Sequence, residues 1–207
     1  MGDEVVLLDI LPSCFGMRLR IALAERGVEY EYKEDNMVDK SPLLLQMNPV
    51  RKMVPVLIHN GKPICESLII LQYIDDVWNN KSLLPSDPYL KSQVYDSGKR
   101  VLMTKGEVQE AAKKEMIECL KTLEGELGER PYFGGENLAF LDIVLVPYCP
   151  WFYSYESCGN FNIQAQCPKL MAWVQRCLEK ESVSKSLHDP HKVYDYVLQL
   201  RKRFGVD

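Results

Sequence analysis

The hydrophobic pattern of the first half of the chain changes between the periods of strand and helix. Residues 5–9 form a short apolar run rich in β-formers, and residues 15–26 have helical spacing that ends at a glycine. Apolar and polar residues then alternate over 28–32, as in a half-buried strand, and residues 54–58 form a second β-rich run. This order predicts a strand, a helix and two further strands.

The second β-rich run is followed by a predicted hairpin. An Asn-Gly pair at 60–61 is typical of a tight type I′ turn, and residues 63–65 return as a short edge strand. A helix is then predicted over 66–78. With Pro55 heading the third strand, the order β-α-β and then β-β-α predicts an α/β domain with a thioredoxin-like sheet.

Beyond residue 88 the strand pattern disappears. Asn, Ser, Asp and Pro dominate residues 79–88, which is the composition of an interdomain linker. The chain is therefore predicted to contain an α/β domain over 1–78, a linker over 79–88 and an all-α domain over 89–207. Helices of the second domain are predicted over 107–127, 140–157, 167–178 and 190–203.

The start of the helix predicted at 140–157 carries half of a capping box. Asp142 stands three residues after Ala139, where the box places its acidic residue. Ala139 has no side-chain oxygen, so it cannot supply the other half.

Charge and cysteine content narrow the class of protein. The 25 Lys and Arg against 29 Asp and Glu give a net charge of -4 without a long run of like charge, so neither a nucleic acid nor a membrane partner is indicated. The N-terminus, MGDEVVLLDILPS, is too acidic and its apolar run too short for a signal segment, so a cytosolic location is expected. Seven cysteines without CxxC or metal-ligand spacing predict reduced thiols and no metal.

Ser13 is the first candidate for chemistry. It stands between a strand end and a helix start, so its hydroxyl could donate to a bound thiolate while the helix dipole favours the negative charge. The plainer interpretation is that Ser13 only caps the helix. The pattern leaves both interpretations open.

A second group of polar residues lies at the next predicted helix start. The free N–H groups and hydroxyl of Ser67 suit a carboxylate, and Glu66 can pair with an ammonium group. Pro55 is a candidate cis proline, which would turn the N–H and C=O of Val54 towards an extended peptide ligand. Lys40, in the preceding loop, could meet a terminal carboxylate. Each feature alone is equally consistent with a helix cap or a solvated side chain.

Six stretches together give a specific resemblance over nearly the whole chain. In order, they resemble plant tau-class glutathione transferases: LPSCFGMRLRIALAERGVEYEYKE, SPLLLQMNP, VPVLIHNGKPICES, LLPSDPY, YFGGENLAFLDIVLVPY and CPKLMAWVQRC. The resemblance implies the cytosolic glutathione transferase fold, glutathione as co-substrate and a homodimer.

The resemblance also implies roles for individual residues. Ser13 would stabilise the glutathione thiolate, Lys40 and the Val54 backbone would bind the glycine end and the middle, and Glu66 and Ser67 the γ-glutamyl end. The acceptor site would be apolar. Its residues would be Phe15, Tyr95, Trp151, Tyr155, Tyr196 and Leu200.

Three positions depart from the family pattern. Cys14 replaces a usual proline and brings a thiol to the helix start, and Met53 replaces a basic residue, which removes one expected carboxylate contact. Between Gln93 and Val94 roughly eleven residues of the fourth helix are absent, about three helical turns. Because that helix contributes to the dimer contact and the acceptor pocket in the family, the deletion bears on both.

The leading hypothesis is therefore an enzyme that conjugates glutathione to apolar electrophiles in detoxification and stress response. Glutathione peroxidase activity is an expected side reaction. Two alternatives stay open at this point: a thiol-disulfide oxidoreductase using Cys14, and a non-catalytic carrier of glutathione or an apolar ligand.

Overall fold

The computed structural model describes residues 4–78 and 89–206, and for 89–95 it describes the backbone alone. The chain divides into two compact units, Met1–Leu83 and Leu84–Asp207. The linker predicted at 79–88 lies outside the described residues, so its bounds stay a prediction.

The first unit is built on a mixed four-stranded sheet with strand order β2-β1-β3-β4. Strand β1 is parallel to β2 and antiparallel to β3, which pairs in turn with β4. The predicted α/β topology is therefore confirmed. Its elements are β1 (Val5–Asp9), α1 (Cys14–Glu25), β2 (Glu31–Glu34), α2 (Pro42–Met47), β3 (Val56–His59), β4 (Lys62–Cys65) and α3 (Ser67–Val77).

Alternation along the central strands creates a core on each side of this sheet. Val6 and Leu8 point to one face, where they form an apolar cluster with Leu44 of α2 and with β3. Leu7 lies on the opposite face and is fully buried, and there α3 contacts β3 and α1. The sheet therefore places the carboxyl end of β1 directly before the start of α1.

The hairpin between β3 and β4 has the predicted turn. Asn60 and Gly61 both have positive φ, 50° and 75°, as a type I′ turn requires. The turn pairs His59 with Lys62 and sets the register of β4. The strand ends at Cys65, so Glu66 and the start of α3 follow at the same edge of the unit.

The regular elements of the second unit are helices in its described residues, and the turn before Phe140 contains an isolated β-bridge between Tyr132 and Gly135. Within the described ranges, no helix is long and apolar enough to cross a membrane. Its helices are α4 (Tyr89–Met103), α5 (Gly106–Leu127), α6 (Phe140–Leu145), α7 (Cys149–Gly159), α8 (Ile163–Gln166), α9 (Pro168–Leu178), α10 (Glu181–Ser184) and α11 (Pro190–Arg203).

The single helix predicted over 140–157 is wrong. The structure has α6 and α7 instead, joined by a 3₁₀ turn over Val146–Tyr148. Pro147 and Pro150 have no N–H to donate and their rings crowd the preceding turn, so a regular α-helix cannot run through both. The apolar pattern is continuous across the break because nearly every side chain there is buried.

Asp142, on α6, is the polar centre of the second unit. Its side chain is fully buried and accepts four hydrogen bonds, from the N–H groups of Phe133 (2.9 Å), Gly134 (3.2 Å) and Ala139 (3.0 Å) and from the Trp173 indole (2.8 Å). The Ala139 bond is the half box that the sequence predicts. One carboxylate thus joins the turn before α6, the start of α6 and α9.

Candidate active site

Ser13 lies between the end of β1 and the first residue of α1. A turn closed by the Ser13 N–H and the Ile10 carbonyl (3.0 Å) brings the chain from strand to helix. The Ser13 Oγ accepts from the Gly16 N–H at 3.2 Å, so the residue is an N-cap. Because that bond uses a lone pair of Oγ, the hydroxyl hydrogen is still available for donation. Capping and thiolate stabilisation are therefore compatible in one side chain.

A cavity of about 500 Å³ lies beside the start of α1 in the first unit. It contains four of the predicted residues, Phe15, Val54, Glu66 and Ser67, whereas Ser13 and Lys40 are absent from its lining. The complete lining is Phe15, Arg18, Asn48, Arg51, Met53, Val54, Pro55, Glu66, Ser67, Leu68 and Ile69.

The peptide bond between Val54 and Pro55 is cis, as the sequence suggests. Val54 precedes β3, and within the described part of the chain neither its N–H nor its C=O has a hydrogen-bond partner. Both groups belong to a residue that lines the cavity. An extended backbone lying in the cavity could therefore pair with them.

Glu66 and Ser67 also line the cavity, at the place where α3 begins. Glu66 has a left-handed backbone, with φ 69°, which a residue with a Cβ rarely adopts. Residues in strained backbone conformations of this kind cluster at active sites and ligand-binding sites. Ser67 is the first residue of α3, and its hydroxyl accepts from Arg18 Nη1 at 3.3 Å. A helix N-terminus and a guanidinium group therefore meet at Ser67, which suits a carboxylate.

Two arginines of the cavity were missed by the sequence reasoning. The guanidinium of Arg18 lies over the Phe15 ring, 5.0 Å from its centroid, and the spacing of the two on one helix face could have indicated this. Arg51 Nε lies 3.5 Å from the Glu66 carboxylate. No sequence period marks Arg51, because it belongs to a loop.

Asn48 shapes the loop that carries Arg51. Its side chain donates to the Met53 carbonyl (3.0 Å) and accepts from the Arg51 N–H (3.3 Å). The loop thereby folds over the cavity, with Met53 and Arg51 both in the lining. A cation is thus present two residues before Met53, the position where the family resemblance leads us to expect a basic residue.

Lys40 lies in a loop that Asp35 organises. The Asp35 N–H donates to the Asp9 carbonyl (2.8 Å), and its carboxylate accepts from the Ser41 N–H (3.2 Å) and the Ser41 hydroxyl. Ser41 in turn caps α2 through the Leu44 N–H (3.0 Å). Lys40 is half-buried at the end of this loop, and no carboxylate pairs with it in the described part of the chain.

Cys14 is the first residue of α1, and its side chain is buried. Burial raises the pKa of its thiol to about 11, because the low-dielectric surroundings disfavour the thiolate more than Arg18 favours it. The thiol is therefore protonated at neutral pH and is a poor nucleophile.

The predicted acceptor residues of the second unit fall into two groups. Trp151 and Tyr196 are partly exposed and meet edge to face, with ring centroids 6.4 Å apart, and Leu200 follows one turn after Tyr196. Tyr155 is 3% exposed and packs so closely on Gly98 that a Cβ there would lie 2.8 Å from its ring. Tyr155 is thus part of the helical core, and the Tyr95 side chain lies outside the described residues.

Comparison with known proteins identifies the class to which this fold and site belong. The chain matches "Glutathione S-transferase, N-terminal domain" over residues 3–76 and "Glutathione S-transferase, C-terminal domain" over residues 106–176. It is 61% identical to the probable glutathione S-transferase parA of Nicotiana tabacum, over 99% of each chain.

Solved structures give the same answer. The structure of rice GST1 in complex with glutathione matches with a TM-score of 0.91 at 46% identity, covering 98% of each chain. The tau-class enzyme of mango, Mangifera indica, matches with a TM-score of 0.87 at 36% identity, covering 96% of this chain and 98% of the other. The chain therefore belongs to the glutathione S-transferase family, in the plant tau class. It is a transferase that uses glutathione as its co-substrate, as the sequence predicts.

The comparison also bears on the predicted deletion. The alignment with parA runs over 217 positions, ten more than the 207 residues of this chain, so at least ten positions of the relative have no counterpart here. This length agrees with the loss of roughly eleven residues. The place of the loss, between Gln93 and Val94, stays a prediction.

Proposed function

We propose that Ser13 is the catalytic residue and that its hydroxyl stabilises the thiolate of bound glutathione. The observation that carries this proposal is the N-cap geometry: Oγ accepts from Gly16 and keeps its hydrogen for a ligand at the positive end of α1. A donated hydrogen bond and the helix dipole both favour the thiolate over the thiol, which lowers the pKa of the thiol. The thiolate sulfur then bonds directly to the electrophile, without a covalent enzyme intermediate. In a substitution the leaving group departs with its bonding electrons, as chloride does from a chloronitrobenzene, and in an addition the activated double bond takes up a proton from water.

The tripeptide is proposed to lie along the cavity in the first unit. Its middle would pair with the backbone of Val54, and its γ-glutamyl carboxylate would meet Ser67 at the start of α3. Its ammonium would pair with Glu66, and its glycine carboxylate with Lys40. Support comes from the Val54 peptide groups, which have no hydrogen-bond partner among the described residues, and from Arg18, whose guanidinium adds positive charge beside Ser67.

The acceptor is proposed to be an apolar electrophile. In the first unit Phe15 is partly exposed, and in the second unit Trp151, Tyr196 and Leu200 are partly exposed. Each is proposed as an acceptor residue, because aromatic and apolar side chains of this kind line such sites. Tyr155 is proposed to support the residues of the second unit from its core. Tyr95 completes the proposed set.

Replacing Cys14 by serine tests the oxidoreductase alternative. We expect the variant to keep conjugation of a chloronitrobenzene-type acceptor within about twofold of the wild type, because a buried thiol with a raised pKa contributes no thiolate. The wild-type protein is also expected to stay free of glutathione adducts in its intact mass. A loss of activity in Cys14→Ser together with a glutathionylated wild type would favour the oxidoreductase instead.

A homodimer is the proposed assembly. Val50, and Leu68 and Ile69 of the cavity lining, are exposed apolar side chains, with 88%, 37% and 59% of their surface accessible. A second copy is the occupant that the family relationship suggests. Light scattering of the purified protein should give twice the mass of one chain. A mass of one chain would contradict the homodimer.

The cytosol is the proposed location. All seven cysteines are free thiols, which suits a compartment where glutathione is kept reduced.

A further inference from the structure

Two buried charged residues near the loop that carries Ser13, Asp9 and Arg20, have no part in the mechanism proposed above. Asp9 is the last residue of β1 and is fully buried. Arg20 lies on α1 and is also buried. A buried ion pair is a weak source of stability, so its presence here calls for another explanation.

The Arg20 guanidinium makes two contacts with the segment that leads from β1 to Ser13. Nη2 donates to the Leu11 carbonyl at 2.8 Å, and Nε lies 3.8 Å from the Asp9 carboxylate. Leu11 stands within the turn that the Ser13 N–H closes on Ile10. The Arg20 side chain therefore contacts the segment between β1 and α1 at two points, Asp9 and Leu11.

Asp9 also contacts the helix itself. A Cβ on Gly16 would lie 1.9 Å from the Asp9 carboxylate oxygens, so the carboxylate packs directly against this glycine. The Gly16 N–H is the group bonded to Ser13 Oγ. Asp9, Gly16 and Ser13 are thus in sequential contact, and a shift of the carboxylate would move the partner of the Ser13 hydroxyl.

The surroundings of Asp9 make its position depend on Arg20. Neither carboxylate oxygen has a hydrogen-bond partner within normal distance in the described part of the chain. Burial raises the pKa of Asp9 to about 7, opposed by the Arg20 cation and the nearby Ile10 amide, while Glu34 of β2 adds to the rise. Tyr30 and Tyr32 also face the carboxylate, and burial raises the pKa of both phenols. Arg20 is thus the cation that faces Asp9.

We propose that Arg20, held between the Asp9 carboxylate and the Leu11 carbonyl, is a positioning residue that fixes the Ser13 hydroxyl for thiolate stabilisation. The proposal rests on the role assigned to Ser13. A hydrogen bond to a thiolate weakens steeply with distance and angle, so a small displacement of Oγ reduces it. Neither Asp9 nor Arg20 lines the cavity proposed to hold the tripeptide, so the pair would act through Ser13.

The test compares Arg20→Gln with the wild type in kcat, in the pKa of the bound glutathione thiol read from its ultraviolet absorbance, and in affinity for S-methylglutathione. We expect kcat to fall about tenfold and the pKa of the bound thiol to rise by about one unit. Affinity for S-methylglutathione, which has no thiol to stabilise, should stay within about twofold.

Arg26→Gln is the matched control. Arg26 is also a buried arginine near the end of α1, and it pairs with Asp75 of α3, away from the Ser13 loop. Its loss should lower stability and leave the pKa of the bound thiol unchanged. Equal effects of the two variants on that pKa would overturn the proposal.

A double substitution tests the positioning role of Arg20 separately from the catalytic role of Ser13. In a Ser13→Ala background, Arg20→Gln should have less than a twofold further effect on kcat, because the group it positions is gone. The same tenfold loss in both backgrounds would overturn the positioning role of Arg20 and leave the catalytic role of Ser13 standing. If Arg20→Gln does not fold, Arg20→Lys is the second variant. Lys keeps a cation beside Asp9, but its single ammonium lacks the planar fork with which Arg20 reaches both the Asp9 carboxylate and the Leu11 carbonyl, so kcat should still fall. A folded Arg20→Lys protein with wild-type kcat and thiol pKa would contradict the proposal.

Discussion

Conjugation by a Ser13→Ala variant is expected to be about two orders of magnitude slower than that of the wild type. The Ser13 hydroxyl is the proposed hydrogen-bond donor to the thiolate. Removal of one preorganised donor to a negative charge in an active site typically lowers kcat by about 10²-fold or more. The loss should fall on kcat at neutral pH and shrink at high pH, where glutathione ionises without help. The measurement is a pH-rate profile with a chloronitrobenzene-type acceptor.

Two controls separate chemistry from folding in this experiment. Ser13→Ala also removes the N-cap of α1, which is expected to cost about 1 kcal/mol of stability. Asn162 caps α8 in the same manner, by accepting from the Ala165 N–H at 2.7 Å, so Asn162→Ala should lose stability without losing rate. Affinity for S-methylglutathione should be retained in Ser13→Ala. An unchanged pH-rate profile in Ser13→Ala would remove Ser13 from the mechanism.

The largest effect on stability is expected at Asp142. Asp142→Asn keeps the shape of the side chain but turns an NH₂ group towards two of the four donors that the carboxylate accepts. Unpaired buried donors cost about 1–3 kcal/mol each, so a loss of more than about 3 kcal/mol is expected. For a chain of this length that corresponds to a fall in Tm of roughly 10 °C.

Asp189→Asn is the matched control for this loss. Asp189 caps α11 by accepting from the N–H groups of His191 (2.8 Å) and Lys192 (3.1 Å), but it does so at the surface. Water can replace those bonds, so the fall in Tm should be far smaller. Thermal unfolding of both variants followed by circular dichroism makes the comparison. Equal losses would show that Asp142 acts as an ordinary cap.

The parts of the structure that sequence predicts are those that local rules determine. The Asn-Gly pair specifies the hairpin because only a few residues accept two positive φ values in succession. Ser13 is found because a strand, a proline and a helical period surround it. Glu66 and Ser67 are found for the same reason, as the residues at which the pattern changes from strand to helix.

The parts that sequence does not predict depend on contacts between distant segments. Arg51 reaches the cavity only because the Asn48 side chain folds its loop, and no period records that bond. Asp142 accepts from groups up to 31 residues away, of which the local pattern contains only Ala139. The break between α6 and α7 is hidden because burial on all sides makes the apolar pattern continuous across both prolines.

The left-handed backbone of Glu66 has a consequence for the evolution and engineering of this enzyme. Glycine would adopt φ 69° without strain and would relieve a cost of about 1 kcal/mol. It would also delete the carboxylate proposed to recognise an ammonium group. Selection for thermal stability alone would therefore favour glycine at position 66 and weaken ligand recognition. Position 66 is thus a site where stability and activity are in conflict.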